Sequence, residues 1–195
     1  MDLISEKMRC SVVGIAGLGG LGSNVAIALA RADIGRLIVA DFDKVEKGNL
    51  NRQQYFIDQI GKSKVDCMIE NIGRINPDVR VEGHQVKLSA DNIPSVFADA
   101  DVIAECFDLA REKQMIVETV LTKMQRAIIV SVSGLAGYGK SNEIQTRRIS
   151  PRFILIGDGQ SGVDTCKILT APRVAVAAAH QANAIVELIV EKIVK

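Results

Sequence analysis

The sequence contains no C-x-x-C pair, no G-x-S-x-G and no excess of charge of one sign. Each absence narrows the function. The four cysteines, Cys10, Cys67, Cys106 and Cys166, stand far apart, so no tetracysteine zinc site is expected. Cys10, Cys67 and Cys106 fall in apolar segments and read as small core residues. With no secretion signal evident, this pattern suits a reducing cytoplasm. The 24 lysines and arginines nearly cancel the 23 acids, which argues against a nucleic-acid or membrane-surface partner. His84 and His180 have no partner at ligand spacing, and a hydrolase signature is missing. The most apolar stretch, Val174 to Val194, carries His180, Gln181, Asn183, Glu187 and Glu191. That polarity fits a buried or interface helix better than a membrane span.

The 195 residues suit a single domain, 1–195, of ordinary globular composition. Residues 11–16 are an apolar run ended by glycine. A small-residue helical pattern follows over 21–32, and Ile38, Val39 and Ala40 begin a second strand. Val65, Met68, Ile69 and Ile72 repeat at i, i+3, i+4, i+7, a helix, which Asn76-Pro77-Asp78 stops. Strands are expected over 79–86, 102–106 and 127–132, with a helix marked by Val117, Val120, Leu121 and Met124. Two β-like pieces, 143–149 and 152–157, read as an antiparallel meander joined at Ser150-Pro151. Residues 157–171 read as a mobile polar loop, and 173–194 as the last helix. The whole predicts an α/β fold: a Rossmann-like, doubly wound, mostly parallel sheet extended by a short antiparallel strand meander. Ligands bind such sheets at the carboxyl ends of the strands.

Four clusters can carry chemistry. In the first, Gly17 allows a tight turn after the first strand, Gly19 lets amides approach a phosphate, and Gly22 lets helix and strand pack closely. The following helix start favours an anion. Asp41 ends the second strand, where a carboxylate can accept ribose hydroxyls, and Asp43 completes an acidic pair. This is a nucleotide fingerprint that does not choose between NAD, FAD and ATP. In the second, Asn49, Arg52 and Gln53 offer donors within one turn, and Arg52 suits bidentate recognition of phosphate or carboxylate. A solvated capping turn accounts for the same residues equally well. In the third, Lys62 and Lys64 sit where a helix dipole disfavours cations, which makes sense beside a bound anion. Lys62 reads as an ordinary solvated lysine. In the fourth, Asp108, beyond the fourth strand, suits either a Mg²⁺ site or the N-cap of the next helix. Arg52, Lys64 and Asp108 around a phosphate cradle suit chemistry at phosphorus better than hydride transfer. Cys166, in a polar loop, is a candidate thiol for which the inert reading is stronger.

The ordered set Gly17-Leu18-Gly19-Gly20-Leu21-Gly22-Ser23, Asp41-x-Asp43-x-Val45-Glu46, Asn49-Leu50-x-Arg52-Gln53, Gly61-x-x-Lys64 and Asp108 resembles the ThiF, MoeB and ubiquitin-activating-like adenylyltransferases. The segments 133–149 and 171–189 look like the short, zinc-less ThiF proteins that adenylylate the sulfur carrier ThiS. The resemblance implies ATP and Mg²⁺, with no zinc, and a small ubiquitin-fold sulfur-carrier protein ending in Gly-Gly. It implies thiamine thiazole synthesis, a cytoplasmic homodimer and no membrane. The tail carboxylate would attack the α-phosphate, giving an acyl-adenylate and pyrophosphate. By position, Gly17, Gly19, Gly20 and Gly22 would hold phosphate, and Asp41 with Asp43 would serve the nucleotide. Asn49, Arg52, Gln53 and Lys64 would bind it, Arg52, Lys64 and Asp108 would be catalytic, and Asp108 would bind the metal. Relatives carry an N-terminal segment whose arginine enters the partner's site. Here the chain is expected to begin almost directly at the first strand, and Arg9 is not assigned that role. Some relatives use a loop cysteine in sulfur transfer, which makes Cys166 the candidate. The alternatives are the same chemistry on a molybdopterin-synthase carrier or a tRNA base, an NAD-dependent oxidoreductase, and a non-catalytic scaffold. For a homodimer, the helices over 109–124 and 173–194 offer apolar faces that serve equally as core.

Overall fold

The computed structural model describes residues 2–162, 166 and 168–191. Its centre is one seven-stranded sheet. The strands are β1 (Val12–Ala16), β2 (Arg36–Asp41), β3 (Arg80–Gln85), β4 (Val102–Glu105), β5 (Ile128–Val132), β6 (Gln145–Ser150) and β7 (Phe153–Gly157), in the order β3-β2-β1-β4-β5-β7-β6. All neighbours pair in parallel except β6 and β7. The strand order reverses between β1 and β4, the switch point of a doubly wound sheet.

The helices are α1 (Leu3–Cys10), α2 (Gly20–Arg31), α3 (Lys64–Ile75), the short α4 (Ile93–Val96), α5 (Ala110–Lys123) and α6 (Ala171–Glu191). The central strands are buried on both faces, so they read as continuous apolar runs. One core joins α2, α3 and α6 to one face of the sheet. Another packs α4 and α5, with Phe97 and Ile116 fully buried, against the other. Gly14 has a packing reason: a Cβ there would lie 2.6 Å from the Phe97 ring.

Three expectations change and one alternative narrows. A helix precedes β1. Its Asp2 carboxylate caps Ser5 N–H at 2.8 Å, and none of its residues is buried, so periodicity gave it little signal. Cys10, expected in the core, is exposed at the end of that helix. Buried residues on α6 (Val174, Ala177, Ala178, Gln181, Ile185) and on α5 (Ile116, Val120) place these faces in the core, one of the two readings open for them. Finally, Gly157 to Ser161 is a tied turn. The Asp158 carboxylate accepts from Gln160 N and Ser161 N, both at 2.8 Å. The rest of the expected mobile loop, at 163–165 and 167, lies outside the described residues.

Candidate functional site

The glycine loop joins β1 to α2 at the switch point. Gly17 turns with φ +92°, and its N–H donates to Ala40 O at 2.8 Å. A Cβ on Gly22 would stand 1.8 Å from Gly17 O, so helix and loop are in backbone contact. Gly19 is the N-cap of α2 and brings no side-chain acceptor. The first-turn N–H groups therefore remain for an anion.

Asp41 is 8% exposed. Its carboxylate accepts from Leu18 N at 2.6 Å and from Asp43 N at 2.8 Å. It therefore builds the loop as well as standing where a ribose would lie. Tyr55 seals the other side, its hydroxyl donating to Leu18 O at 2.9 Å. Burial first, and then the nearby Asp41 charge, push the Tyr55 phenol far above its ordinary range, so it stays a neutral donor.

The segment after β2 folds back over this loop. The Asn49 carboxamide oxygen accepts from Glu46 N at 3.0 Å, and the Asn49 carbonyl takes Gln53 N at 2.9 Å. Asn49 thus closes the capping box of its own short turn, Lys47–Asn49. Asn24 stitches this segment to α2, donating to Gly20 O at 2.6 Å and Arg52 O at 3.0 Å. Ser23 accepts from Gln54 N at 3.1 Å. As a result the Arg52 stem lies over Gly20, 3.4 Å from where a Cβ would be. Among the described residues its guanidinium donates to Asn51 Oδ1 at 2.8 Å and Gly48 O at 3.3 Å. Gln53 is 8% exposed with Nε2 near Gly19, and its buried Oε1 has no partner among the described residues. A buried acceptor without a donor is costly, and a bound ligand would relieve it.

Lys64 heads α3 at 5% exposure, and its Nζ donates to Asp43 Oδ2 at 2.9 Å. Asp43 is half exposed, so this ion pair opens to the site from one side only. Ser63 caps α3 by accepting from Asp66 N at 3.3 Å, while Lys62 is exposed as expected.

Across the switch point, Phe107 carries the chain from β4 past Gly17, its ring edge 3.4 Å from a would-be Cβ there. Asp108 follows and is exposed. The N-cap of α5 is Leu109, without a side-chain cap bond, so the N-cap reading of Asp108 does not hold. Among the described residues, Asp108 makes no side-chain hydrogen bond or ion pair. The pinning falls to Glu105, fully buried at the end of β4. It accepts from Phe107 N at 2.6 Å, Ser131 Oγ at 2.5 Å and Lys113 Nζ at 3.0 and 3.1 Å. Sequence reasoning missed this carboxylate, although an acid closing an otherwise apolar strand was a usable signal.

Among the described residues no three His, Cys, Asp or Glu gather to cage a metal. One free carboxylate beside a phosphate cradle does fit Mg²⁺, which is held through one or two carboxylates plus substrate phosphates. Cys166 is half-buried beside Gly137 in the loop after β5, 3.6 Å from a would-be Cβ. Buried Cys67 and Cys106 have thiols raised first by burial, which suits inert core residues. His84 pairs with Glu82, and His180 with Thr146. Arg9 pairs with Asp33 of its own chain at 2.6 Å.

Comparison with known proteins agrees with this geometry. Ubiquitin-like modifier-activating enzyme 5 of Drosophila pseudoobscura pseudoobscura is 41% identical over 109 residues, 53% of this chain and 28% of that protein. The adenylyltransferase and sulfurtransferase uba4 of Aspergillus niger is 36% identical over 135 residues, covering 69% of this chain and 28% of its own. The chain thus spans under a third of the curated relatives it matches. The E. coli tRNA N6-threonylcarbamoyladenosine dehydratase TcdA, in complex with AMP, superposes with a TM-score of 0.89 at 20% identity, covering 100% of this chain and 92% of its own. E. coli MccB with ATP gives a TM-score of 0.74 at 24% identity, covering 97% and 59%. These two show the fold. The ThiF family model matches residues 3–194, and the chain belongs to the ThiF family.

Proposed function

We propose that this chain is an adenylyltransferase. In this reading it activates the C-terminal glycine carboxylate of a small ubiquitin-fold sulfur carrier, in the thiazole branch of thiamine synthesis, with ATP as co-substrate. The carrying observation is the arrangement of Arg52 and Lys64 on one side of an uncapped helix start and free Asp108 on the other. Further support comes from a relative described as an adenylyltransferase, and from fold neighbours seen with AMP and ATP.

The chemistry asks for alignment and charge compensation. A carboxylate is already ionised at neutral pH, so no general base is needed to make it a nucleophile. A carboxylate oxygen bonds to the α-phosphorus, the bond from that phosphorus to the bridging oxygen breaks, and pyrophosphate leaves. First-turn N–H groups of α2 hold phosphate oxygens. Arg52 and Lys64 compensate the charge that builds on the equatorial and leaving oxygens. Asp41 receives the ribose with whatever acceptor capacity remains after Leu18 and Asp43. Asp108 would hold Mg²⁺, which would screen the triphosphate and steady the leaving group. A homodimer fits the exposed apolar residues Phe56, Ile57 and Ile60, and cytoplasmic residence fits cysteines scattered along the chain with no C-x-x-C pair.

The resemblance to TcdA favours a second reading, with the activated carboxylate on a tRNA base. The near-neutral charge gives no electrostatic footprint for RNA. The test is ATP–pyrophosphate exchange against a panel of Gly-Gly carriers and tRNA, with the mass of the active species read by sedimentation. Carrier-dependent exchange by a dimer is expected. Arg52→Ala and Asp108→Ala should each lower it by about 100-fold or more, as loss of transition-state charge stabilisation does. Absence of exchange with every carrier sinks the reading.

A further inference from the structure

We infer that Glu105 and Lys113 are positioning residues that hold Asp108 out of the protein's own hydrogen bonding and aim the β4–α5 turn at the nucleotide. The inference rests on the reading in which Asp108 holds Mg²⁺ beside ATP. An acid just before a helix ordinarily becomes its N-cap and spends its oxygens on backbone N–H groups. Here that does not happen. Leu109 takes the cap position without a side-chain bond, and the junction is tied from below.

Glu105 is 0% exposed, yet both its oxygens are satisfied. Phe107 N, two residues on, donates to Oε1 and sets the bend by which the chain leaves β4. Ser131 Oγ fixes Oε2 from the neighbouring strand. Lys113, one turn into α5, donates to both oxygens. The helix is thereby clamped to the strand it follows. Gln181 of α6 adds a second layer, donating to Glu105 O at 3.0 Å and Val130 O at 2.7 Å. A carboxylate held by three donors through four contacts is far more than strand pairing needs. Its geometric product is a turn of fixed direction, with Phe107 against Gly17 and Asp108 left free.

Removing the clamp should therefore act on the metal-dependent part of nucleotide binding. Lys113→Met suits the test, because Lys113 is 21% exposed and its loss leaves Phe107 N and Ser131 on Glu105. Glu105→Gln is the companion variant, and thermal melts establish that each is folded. Calorimetry measures ATP binding as a function of Mg²⁺ and again in EDTA. The Mg²⁺ concentration for half-maximal enhancement should rise by about 10-fold or more in Lys113→Met, the range seen when partners of ligating groups are removed. Binding in EDTA should be unchanged, and Lys113→Arg should recover most of the shift. Mg²⁺ dependence equal to wild type overturns the inference, as does a loss shared equally by binding in EDTA. Calorimetry needs no carrier, so a failure to find the acceptor does not blur the outcome. Wild-type ATP binding indifferent to Mg²⁺ would overturn the inference together with the metal role of Asp108.

Discussion

Asp41 has one task that the structure displays and one that is proposed for it. Its position after β2 marks it as a ribose acceptor, but its bonds to Leu18 N and Asp43 N make it a strut of the glycine loop. The two tasks separate on substitution. Asn at this position offers one acceptor oxygen to two N–H groups, the buried one of Leu18 and the part-buried one of Asp43, and turns an NH₂ toward the other. An unsatisfied buried donor costs about 1–3 kcal/mol, which for a chain of this size is about 2–12 °C in Tm. Asp41→Asn should lower the Tm by that amount with no nucleotide present. A pure ribose acceptor would leave the unliganded melt unchanged, so thermal denaturation without ATP decides between them. The pattern of residues around it was readable before the structure because Gly17, Gly22, Asp41, Arg52 and Lys64 follow one another in order at strand ends or in the segments after them. Glu105, Asn24 and Gln181 were not readable as a set. Each has a partner from 26 to 76 residues away, and only the folded sheet brings these together.

The elements differ in how clearly the sequence announces them. β1, β2, β4 and β5 lie buried in the sheet and appear as apolar runs. β6 is an edge strand and almost wholly exposed, so turn chemistry at Ser150-Pro151 was its main signal. The first turn of α6 holds the least expected device. Arg173 is buried and donates to Ala136 O, Gly139 O and Lys140 O, and to Asp158 Oδ2 at 2.6 Å. It thus joins the loop after β5 to the turn after β7. Burial alone would raise the Asp158 carboxyl. The Ser161 hydroxyl, the Ser161 and Gln160 N–H groups and Arg173 together hold it below its ordinary value of 3.8. A folded pKa below the unfolded one means stabilisation that is present above about pH 3.8 and lost as pH falls through the depressed value. Asp158→Asn should therefore lower the Tm near neutrality and flatten its decline between about pH 4 and pH 2. Parallel wild-type and variant acid limbs in melts across that range would remove Asp158 from the account.

At the scale of the molecule, the sheet order puts every candidate group on one rim. The glycine loop follows β1, Asp41 and the 42–64 segment follow β2, and Asp108 follows β4. That rim accepts a nucleotide in general. What distinguishes a triphosphate from a dinucleotide is the density of cations close to the loop, with Arg52 over Gly20 and Lys64 beside Asp43. A nicotinamide needs an apolar slot where this chain places those cations. The whole fold should report the difference, because a ligand that binds only the folded state stabilises it by mass action. At 100 times its dissociation constant that is about 2.7 kcal/mol, or about 5–11 °C in Tm for a chain of this length. Saturating ATP with Mg²⁺ should produce that shift, and NAD⁺ at equal concentration should produce less than about a third of it. Arg52→Ala should lose most of the ATP shift while its unliganded Tm stays within about 2 °C of wild type, since its guanidinium contacts are exposed and surface changes are small. An equal or larger shift with NAD⁺ would return the glycine loop to coenzyme binding and remove the basis for adenylyl transfer.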